Sequence, residues 1–154
     1  MRKVYRIARQ KFIRDLSGGG SAKFGGRWNP KGTYLLYTAD NPSLAMLEWL
    51  AHARDPEMDE VFFMATILLP EAPIKTLDLA SLPVFWRDTP PPQALQQFGA
   101  EILAEDEWLG FEVPSGLMPL DYNVVLNTHH PLYSKVEIVE TALLIPDERL
   151  VREL

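Results

Sequence analysis

The sequence contains no cysteine. This absence excludes disulfide bonds, thiolate nucleophiles and every metal site that depends on thiolate ligands. Histidine is scarce too: His52, His129 and His130 are the only imidazoles, and neither an HExxH motif nor a carboxylate cluster accompanies them. We therefore predict that the protein has no metal site.

Long apolar runs and an excess of positive charge are also missing. No stretch approaches the roughly 20 apolar residues of a membrane-spanning helix, and the basic opening MRKVYRIARQ is not followed by the apolar segment of a secretion signal. The formal net charge is -6, which argues against a broad phosphate-binding surface. We predict a soluble cytoplasmic protein that contacts neither membranes nor nucleic acid directly.

The residues that are present have the balance of an ordinary folded domain. Of the 154 residues, 47% are hydrophobic and 23% are charged, so we expect residues 1–154 to form a single domain. The apolar patterns predict strands at 4–8, 33–38, 61–69, 74–79, 122–127 and 136–145. Helices are predicted from 41–42 to 54–56 and over 93–109, with loops at 82–92 and 113–119. These elements predict an α+β fold with a mixed central sheet and a few helices.

Residues 25–50, GGRWNPKGTYLLYTADNPSLAMLEWL, combine features that ordinary core segments rarely share. The glycines before Arg27 provide either a flexible linker or backbone that approaches a ligand closely. The turn Asn-Pro-Lys-Gly at 29–32 leads into the strand that carries Tyr37. In the next helix, Glu48 is predicted on or beside the inward face. That face is predicted to contain Leu44, Leu47 and Ala51.

Arg27, Tyr37 and Glu48 have residue types that suit a nucleotide with a reacting sugar. A guanidinium binds two phosphate oxygens at once, a tyrosine stacks on a flat ring, and a carboxylate on an apolar face needs a partner or a catalytic task. Each residue also has a simpler interpretation: a solvated or ion-paired arginine, a core tyrosine and a solvated acid. His52, four residues after Glu48, either pairs with this acid or caps its helix.

Three segments carry a resemblance to a known family. They are the run SGGGSAKFGGRWNPKGTYLLYTADNPSLAMLE, the opening YRIA and the later VPSGLMPLDYNVVLN. They form an ordered series of motifs, and the likeness covers nearly the whole chain. The sequence resembles the RES domain, the toxin half of RES-Xre bacterial toxin-antitoxin pairs. This family is named for an Arg, a Glu and a Ser, and the matching residues are Arg27, Glu48 and Ser115.

The resemblance implies an ADP-ribosyltransferase-like fold and an enzyme that consumes NAD, with no cofactor beyond this substrate. The reaction is hydrolysis, phosphorolysis or transfer of ADP-ribose to a protein. By position, the resemblance assigns Arg27 to NAD binding, Tyr37 to the nicotinamide end and Glu48 to the reacting ribose. Ser115 orients the carboxylate or a hydroxyl group.

The resemblance extends to residues outside this central group. Arg6, in the YRIA segment, matches a family position and is expected to help hold phosphate. Asn123 and Asn127 match an asparagine-rich strand, and Asn123 is expected to contact NAD. Thr128 follows Asn127 where the family often has proline, and this difference leaves the shape of the loop open.

The resemblance also implies a partner, an Xre-type helix-turn-helix antitoxin that blocks the pocket and supplies the DNA contacts. It is compatible with a homodimer within a toxin-antitoxin hetero-oligomer. Two alternatives remain open. The chain is a module that binds a nucleotide or a partner without turnover, or a structural interaction domain in which Arg27 and Glu48 form a buried ion pair.

Overall fold

The computed structural model describes residues 1–52 and 60–151, and a sheet of seven strands runs through them. The strands are β1 (Arg2–Arg9), β2 (Leu35–Ala39), β3 (Phe62–Leu69), β4 (Ile74–Thr76), β5 (Gly110–Pro114), β6 (Tyr122–Asn127) and β7 (Glu137–Leu143). The α-helices are α1 (Gly19–Phe24), α2 (Pro42–His52), α3 (Gln93–Ile102) and α4 (Glu148–Val151). Two short 3-10 helices cover Leu79–Ser81 and Pro131–Lys135.

The sheet has the strand order β4-β5-β6-β2-β1-β3-β7. The β4–β5 pair is parallel and all other neighbouring pairs are antiparallel. The sheet is therefore mixed, and the predicted α+β class is confirmed. Strand β2 lies between β6 and β1 near the middle of the sheet, so its side chains sit where both faces can be covered.

The two faces of the sheet have different partners. We call the face covered by α2 and α3 the helix face, and the face covered by the loop around Ile13 and Leu16 the loop face. Because side chains alternate along a strand, Leu35 and Tyr37 lie on the helix face, whereas Leu36 lies on the loop face. The position of a residue in its strand therefore decides which face it can serve.

Helix α2 begins as the sequence predicts. The Asn41 side-chain oxygen accepts a hydrogen bond from the Leu44 backbone N–H at 2.8 Å, and Pro42 is the first helical residue. This bond satisfies one of the backbone donors left free at a helix start. The predicted end of the helix at 54–56 lies outside the described residues.

The predicted inward face of α2 is partly wrong. Leu44 and Ala45 are buried, but Leu47 is 37% exposed and Ala51 is exposed. At about 100° per residue, Glu48 lies between Leu44 and Ala45 around the helix axis, while Leu47 lies outside this arc. The side turned to the sheet is thus rotated from the predicted one, and it places Glu48 near its centre.

One predicted helix is too long, and one strand was not predicted. The helix predicted over 93–109 ends at Ile102. The Asn127 side chain binds the Leu103 carbonyl oxygen, and the Leu109 backbone N–H donates to the Pro73 carbonyl oxygen instead of to a helical partner. Strand β5 was not predicted, because its residues GFEVP end in a proline that indicates a loop. Pro114 is the last residue of this strand, where a proline is tolerated.

The glycine-rich segment is neither a linker nor an open loop throughout. Gly18 has the positive φ expected of this segment, at 75°, but the residues after it form α1. The Ser21 hydroxyl donates to the Leu35 carbonyl oxygen at 2.6 Å and accepts from the Leu35 N–H at 3.1 Å. These contacts fix α1 against the start of β2, so the segment packs as part of the fold.

Gly99 in α3 permits a close approach that fixes the position of Trp28. A methyl group at Gly99 would lie 2.2 Å from the Trp28 carbonyl oxygen. We expect Gly99→Ala to lower the free energy of unfolding by about 3 kcal/mol, because backbone on both sides must shift. Chemical denaturation measures this loss. Gly20→Ala is the control, because a methyl group there meets nothing within 4 Å, and an equal loss in both variants would contradict the prediction.

Candidate active site

Glu48 and Ser115 meet on the helix face of the sheet. The Ser115 hydroxyl donates a hydrogen bond to Glu48 Oε1 at 2.7 Å, joining the centre of α2 to the residue that follows β5. Local sequence gives no hint of this contact, since the two residues are 67 positions apart in the chain. The structure therefore brings together two of the three residues that the resemblance to the RES domain singles out.

The surroundings of Ser115 suit a residue that orients the Glu48 carboxylate and not one that attacks a substrate. The residue is fully buried, and its Oγ accepts hydrogen bonds from the backbone N–H groups of Leu117 at 3.1 Å and Met118 at 3.3 Å. The hydroxyl donates its one hydrogen bond to Glu48 and accepts a hydrogen bond at each lone pair, so it has no free capacity for a ligand. This geometry favours the orientation of Glu48 over the orientation of a substrate hydroxyl.

The environment of Glu48 leaves part of the carboxylate available. Within residues 1–52 and 60–151, Ser115 is the group that bonds this carboxylate, and it does so through Oε1. His52 Nδ1 lies 2.7 Å from the Glu48 backbone carbonyl oxygen, so this contact is with the backbone and not with the carboxylate. Among these described residues no hydrogen bond engages the Oε2 atom, which leaves it available to a ligand.

Arg27 carries a charge that has no carboxylate partner in the described part of the chain. Its Nη1 donates to the backbone carbonyl oxygens of Trp86 at 3.0 Å and Asp88 at 2.8 Å. Its Nη2 donates to Thr89 Oγ1 at 3.2 Å. These acceptors are neutral and leave Nε–H and one Nη2 hydrogen unused. An anion can therefore bind the guanidinium without displacing a competing carboxylate.

The position of Arg27 argues against one of the alternatives. Among the described residues no ion pair joins Arg27 to Glu48. The two are connected indirectly, since Arg27 holds the loop at 86–89 and Arg87 Nε in that loop donates to the Gly116 carbonyl oxygen at 3.1 Å. The structural domain with a buried Arg27–Glu48 pair is thus not what the chain forms.

Tyr37 lies beside Arg27, and its hydroxyl both accepts and donates a hydrogen bond. It accepts a hydrogen bond from the Trp28 backbone N–H at 2.9 Å and donates to Asn29 Oδ1 at 2.5 Å. Burial raises the pKa of Tyr37 well above its ordinary value, although the Trp28 N–H and the charge of Arg27 act in the opposite direction. The hydroxyl therefore stays protonated at neutral pH and serves as a donor, not as a base.

The two asparagines of β6 have different surroundings. Asn123 pairs with Ala39 and Val113 across the sheet, which places its side chain on the helix face in the row next to Tyr37. Its Nδ2 makes one long bond, 3.5 Å, to the Thr38 carbonyl oxygen. Asn127 is buried and binds the Leu103 carbonyl oxygen and Asp106, so it closes a loop at the other end of the strand.

Arg6 is not placed with the other predicted residues. It shares the loop face with Val4, and its Nη1 donates to the carbonyl oxygens of Phe12 at 3.3 Å and Ile13 at 3.2 Å. Burial lowers the pKa of Arg6, although the charge of Asp15 opposes the change. The sheet separates this side chain from Tyr37, so a direct contact with the same phosphate group is not available to it.

A concavity of about 490 Å³ lies apart from Arg27, Tyr37, Glu48 and Ser115. Its walls include Leu16, Tyr34, His129, Tyr133 and Val136. It contains none of the predicted site residues, and it is mainly apolar. We therefore do not assign the candidate site to it, because the groups with chemical capacity are held around Glu48 and Arg27.

Sequence reasoning missed the residues that support the site. Asn29 was interpreted only as a turn former, yet it is completely buried and bonds to Tyr37. The loop at 86–89 was predicted correctly as a loop, but its contacts with Arg27 depend on backbone carbonyl oxygens. Backbone carbonyl groups are present at every position, so no sequence pattern indicates which of them will receive a guanidinium.

Two general properties of the structure bear on the class of site. No helix in the described ranges has both the length and the apolar character needed to cross a membrane. Within the same ranges, no group of three or more histidine and acidic residues is arranged to hold a metal ion.

Comparisons with known proteins agree on one family. The family model of the RES domain matches residues 3–152. The chain is 36% identical over 128 residues to "Toxin Res" of Yersinia enterocolitica, covering 82% of this chain and 84% of that relative. It is 28% identical over 142 residues to "Prs ADP-ribosylating toxin" of Sphingobium sp., covering 90% of this chain and 88% of that relative.

A solved structure shows the same fold. A chain of the Mycobacterium tuberculosis MbcT-MbcA toxin-antitoxin complex superposes with a TM-score of 0.74 at 19% identity, covering 93% of this chain and 84% of that chain. This likeness is consistent with the ADP-ribosyltransferase-like fold that the resemblance implied. The mixed sheet and the anchored carboxylate define an α+β domain with an enzyme-like site. With the family model spanning nearly its whole length, the chain belongs to the RES domain family.

Proposed function

We propose that this chain is a bacterial toxin that cleaves the bond between nicotinamide and ribose in NAD. The observation that carries the proposal is the hydrogen bond from the Ser115 hydroxyl to the Glu48 carboxylate. This bond orients a carboxylate that lies at the centre of α2, on the helix face of the sheet. Membership of the RES domain family supports it, as do the names of the relatives. The toxin would act in the cytoplasm, where it would deplete NAD and arrest growth.

The reaction requires stabilisation of a positive sugar more than a strong acid. The bond from ribose C1′ to the pyridinium nitrogen breaks, its electron pair goes to that nitrogen, and nicotinamide leaves neutral. Positive charge develops on the ribose, as in glycoside hydrolysis, and the Glu48 carboxylate stabilises it. Water, phosphate or a protein side chain then bonds to C1′ and gives up a proton. These nucleophiles separate glycohydrolase, phosphorylase and ADP-ribosyltransferase activity.

Other residues of the helix face would bind the substrate. Arg27 would bind the pyrophosphate through donors that the loop at 86–89 leaves unused. Tyr37 would present its ring to the nicotinamide end, because its hydroxyl is already engaged. Asn123, with one weak bond in the structure, has amide capacity for a hydroxyl of the ribose.

We also propose an antitoxin partner. The solved structure with the same fold comes from a toxin-antitoxin complex, and an Xre-type helix-turn-helix protein that covers the site would neutralise this chain. The formal net charge of -6 suits a division in which the antitoxin makes the DNA contacts. A homodimer of the toxin within such a complex stays a prediction that size measurement of the complex would test.

Incubation of the purified protein with NAD, followed by quantification of free nicotinamide, tests the proposal. Release of nicotinamide with ADP-ribose indicates hydrolysis, release that requires phosphate indicates phosphorolysis, and labelled ADP-ribose on protein indicates transfer. Normal binding of NAD without any nicotinamide would favour the alternative of a non-catalytic binding module and would contradict the proposal.

Ser115→Ala tests the anchoring of the carboxylate. We expect kcat to fall about 10-fold with little change in KM, because Glu48 keeps its charge but loses the bond that orients it. The loss of a buried hydroxyl also lowers stability by about 1–3 kcal/mol. Thr38→Val is the matched control, since this buried hydroxyl bonds the Val124 carbonyl oxygen. An equal fall of kcat in both variants would show that the effect is one of stability.

A further inference from the structure

Asn29 occupies an unusual position for a polar residue. Its side chain is completely buried, directly in the segment that presents Arg27. A buried amide must satisfy its hydrogen bonds, or its burial costs about 1–3 kcal/mol for each group left unpaired. The contacts of Asn29 are therefore informative, and they lead to both sides of Arg27.

The side-chain amide of Asn29 bonds to both ends of the segment that carries Arg27. Its Nδ2 lies 3.0 Å from the carbonyl oxygens of Ser21 in α1, Pro30 in the turn and Thr33 before β2. Its Oδ1 accepts the hydroxyl proton of Tyr37. One side chain thus connects the helix before the segment, the turn within it and the strand after it.

The residues on either side of Arg27 are held through the same group of bonds. The Gly26 N–H donates to the Asn29 carbonyl oxygen at 3.0 Å, and the Gly26 carbonyl oxygen accepts from Gln96 Nε2 at 2.9 Å. On the other side, the Trp28 N–H donates to the Tyr37 hydroxyl that Asn29 orients. We call these contacts of Asn29, Tyr37 and Gly26 the Asn29 clasp.

The clasp is tight enough to transmit a change to Arg27. A methyl group at Gly26 would lie 2.6 Å from the Tyr37 hydroxyl oxygen and 2.8 Å from Asn29 Oδ1. The backbone therefore has no room to rearrange while these bonds exist. Removal of the Asn29 side chain would leave the Tyr37 hydroxyl without its acceptor and would free the turn that carries the Asn29 backbone carbonyl oxygen. The bonds that hold Gly26 and Trp28 depend on these two groups, and a shift of about 1 Å in a binding group is enough to reduce turnover strongly.

From this geometry we infer that Asn29 is a positioning residue, which fixes the Arg27 guanidinium for the pyrophosphate of the dinucleotide. The inference rests on the proposed function, since it assigns Arg27 to that anion. Asn29 does not touch the substrate. It acts through Arg27, and Tyr37 contributes its hydroxyl to the same task.

A double-mutant cycle between Asn29 and Arg27 tests the inference. We expect Asn29→Ala to raise KM for NAD about 10-fold while kcat changes less than about 3-fold, because a binding group is displaced. In an Arg27→Ala background the same change should alter KM less than about 2-fold, since the group being positioned is absent. An equal effect in both backgrounds overturns the inference.

Two further variants keep the test decisive. Gln96→Ala removes the bond to the Gly26 carbonyl oxygen and should keep the fold even if Asn29→Ala does not. We expect it to raise KM less than Asn29→Ala does, and this rise should also disappear in the Arg27→Ala background. Asn127→Ala is the matched control, because this asparagine is also buried and also closes a loop, away from Arg27. It should lower stability without changing KM, and a KM change that depends on Arg27 would count against the inference.

Failure of the inference is distinguishable from failure of the proposed function. If the unsubstituted protein releases no nicotinamide, the proposed function is overturned. Amide hydrogen exchange at Gly26 and Trp28 then tests the Asn29 clasp without any measurement of activity. Faster exchange at both amides in Asn29→Ala supports the clasp, and unchanged exchange overturns it.

Discussion

Glu48→Gln is expected to reduce nicotinamide release about 100- to 1000-fold. Glutamine keeps the shape of the side chain and still accepts the hydrogen bond from Ser115 at the position of Oε1. What it loses is the negative charge that faces the developing positive charge on the ribose, and removal of one such group typically costs this much in rate. Initial rates of nicotinamide release at saturating NAD measure the effect.

The same variant distinguishes a catalytic role from a structural one. No ion pair within the described residues involves the Glu48 carboxylate, so its neutralisation should change the melting temperature little. Glu101→Gln, an exposed acid on α3, serves as the control for the loss of one charge. Nicotinamide release at the normal rate by Glu48→Gln would refute the assignment, and a large fall in melting temperature would indicate a structural acid.

Arg27→Ala is expected to have the second largest effect, a fall of about 100-fold in kcat/KM that is expressed mainly in KM. The substitution removes the charge and the two unused donors that would bind the pyrophosphate. Arg27→Lys should recover only part of the loss, because an ammonium keeps the charge but cannot bind two oxygens in the fixed geometry of a guanidinium. Steady-state kinetics at several NAD concentrations separate KM from kcat.

Two measurements guard this prediction against a simpler explanation. Arg27 also holds the loop at 86–89, so Arg87→Ala, which frees that loop from Gly116 and leaves Arg27 in place, is the control. The salt dependence of KM gives an independent readout, since an ionic contact weakens as ionic strength rises. If Arg87→Ala raised KM as much, or if Arg27→Ala kept the full salt dependence, Arg27 would not be the anion-binding group.

Local chemistry explains which elements could be predicted. Asn41 and Pro42 begin a helix by their own capping and φ preference, and YNVVLN is a strand in both prediction and structure. The helix over 93–109 was predicted too long because the Leu109 backbone N–H bonds to the carbonyl oxygen of Pro73, a residue far away in sequence. The predicted inward face of α2 was partly wrong for a similar reason: the apolar residues of this helix allow two faces, and packing on the sheet selects the one with Leu44 and Ala45 and Glu48 between them.

The sequence by itself determined the residue types of the site, the α+β class, and, through its ordered motifs, the family. Periodicity and turn chemistry act over a few residues, so they fix strands, helix starts and a candidate acid near a buried face. Only the tertiary structure decided which of these residues meet. It joined Ser115 to Glu48, placed Arg6 on the opposite face of the sheet, and buried Asn29 where it controls Arg27. These outcomes depend on strand order and on bonds to backbone atoms, which are the same at every residue and leave no mark in the sequence.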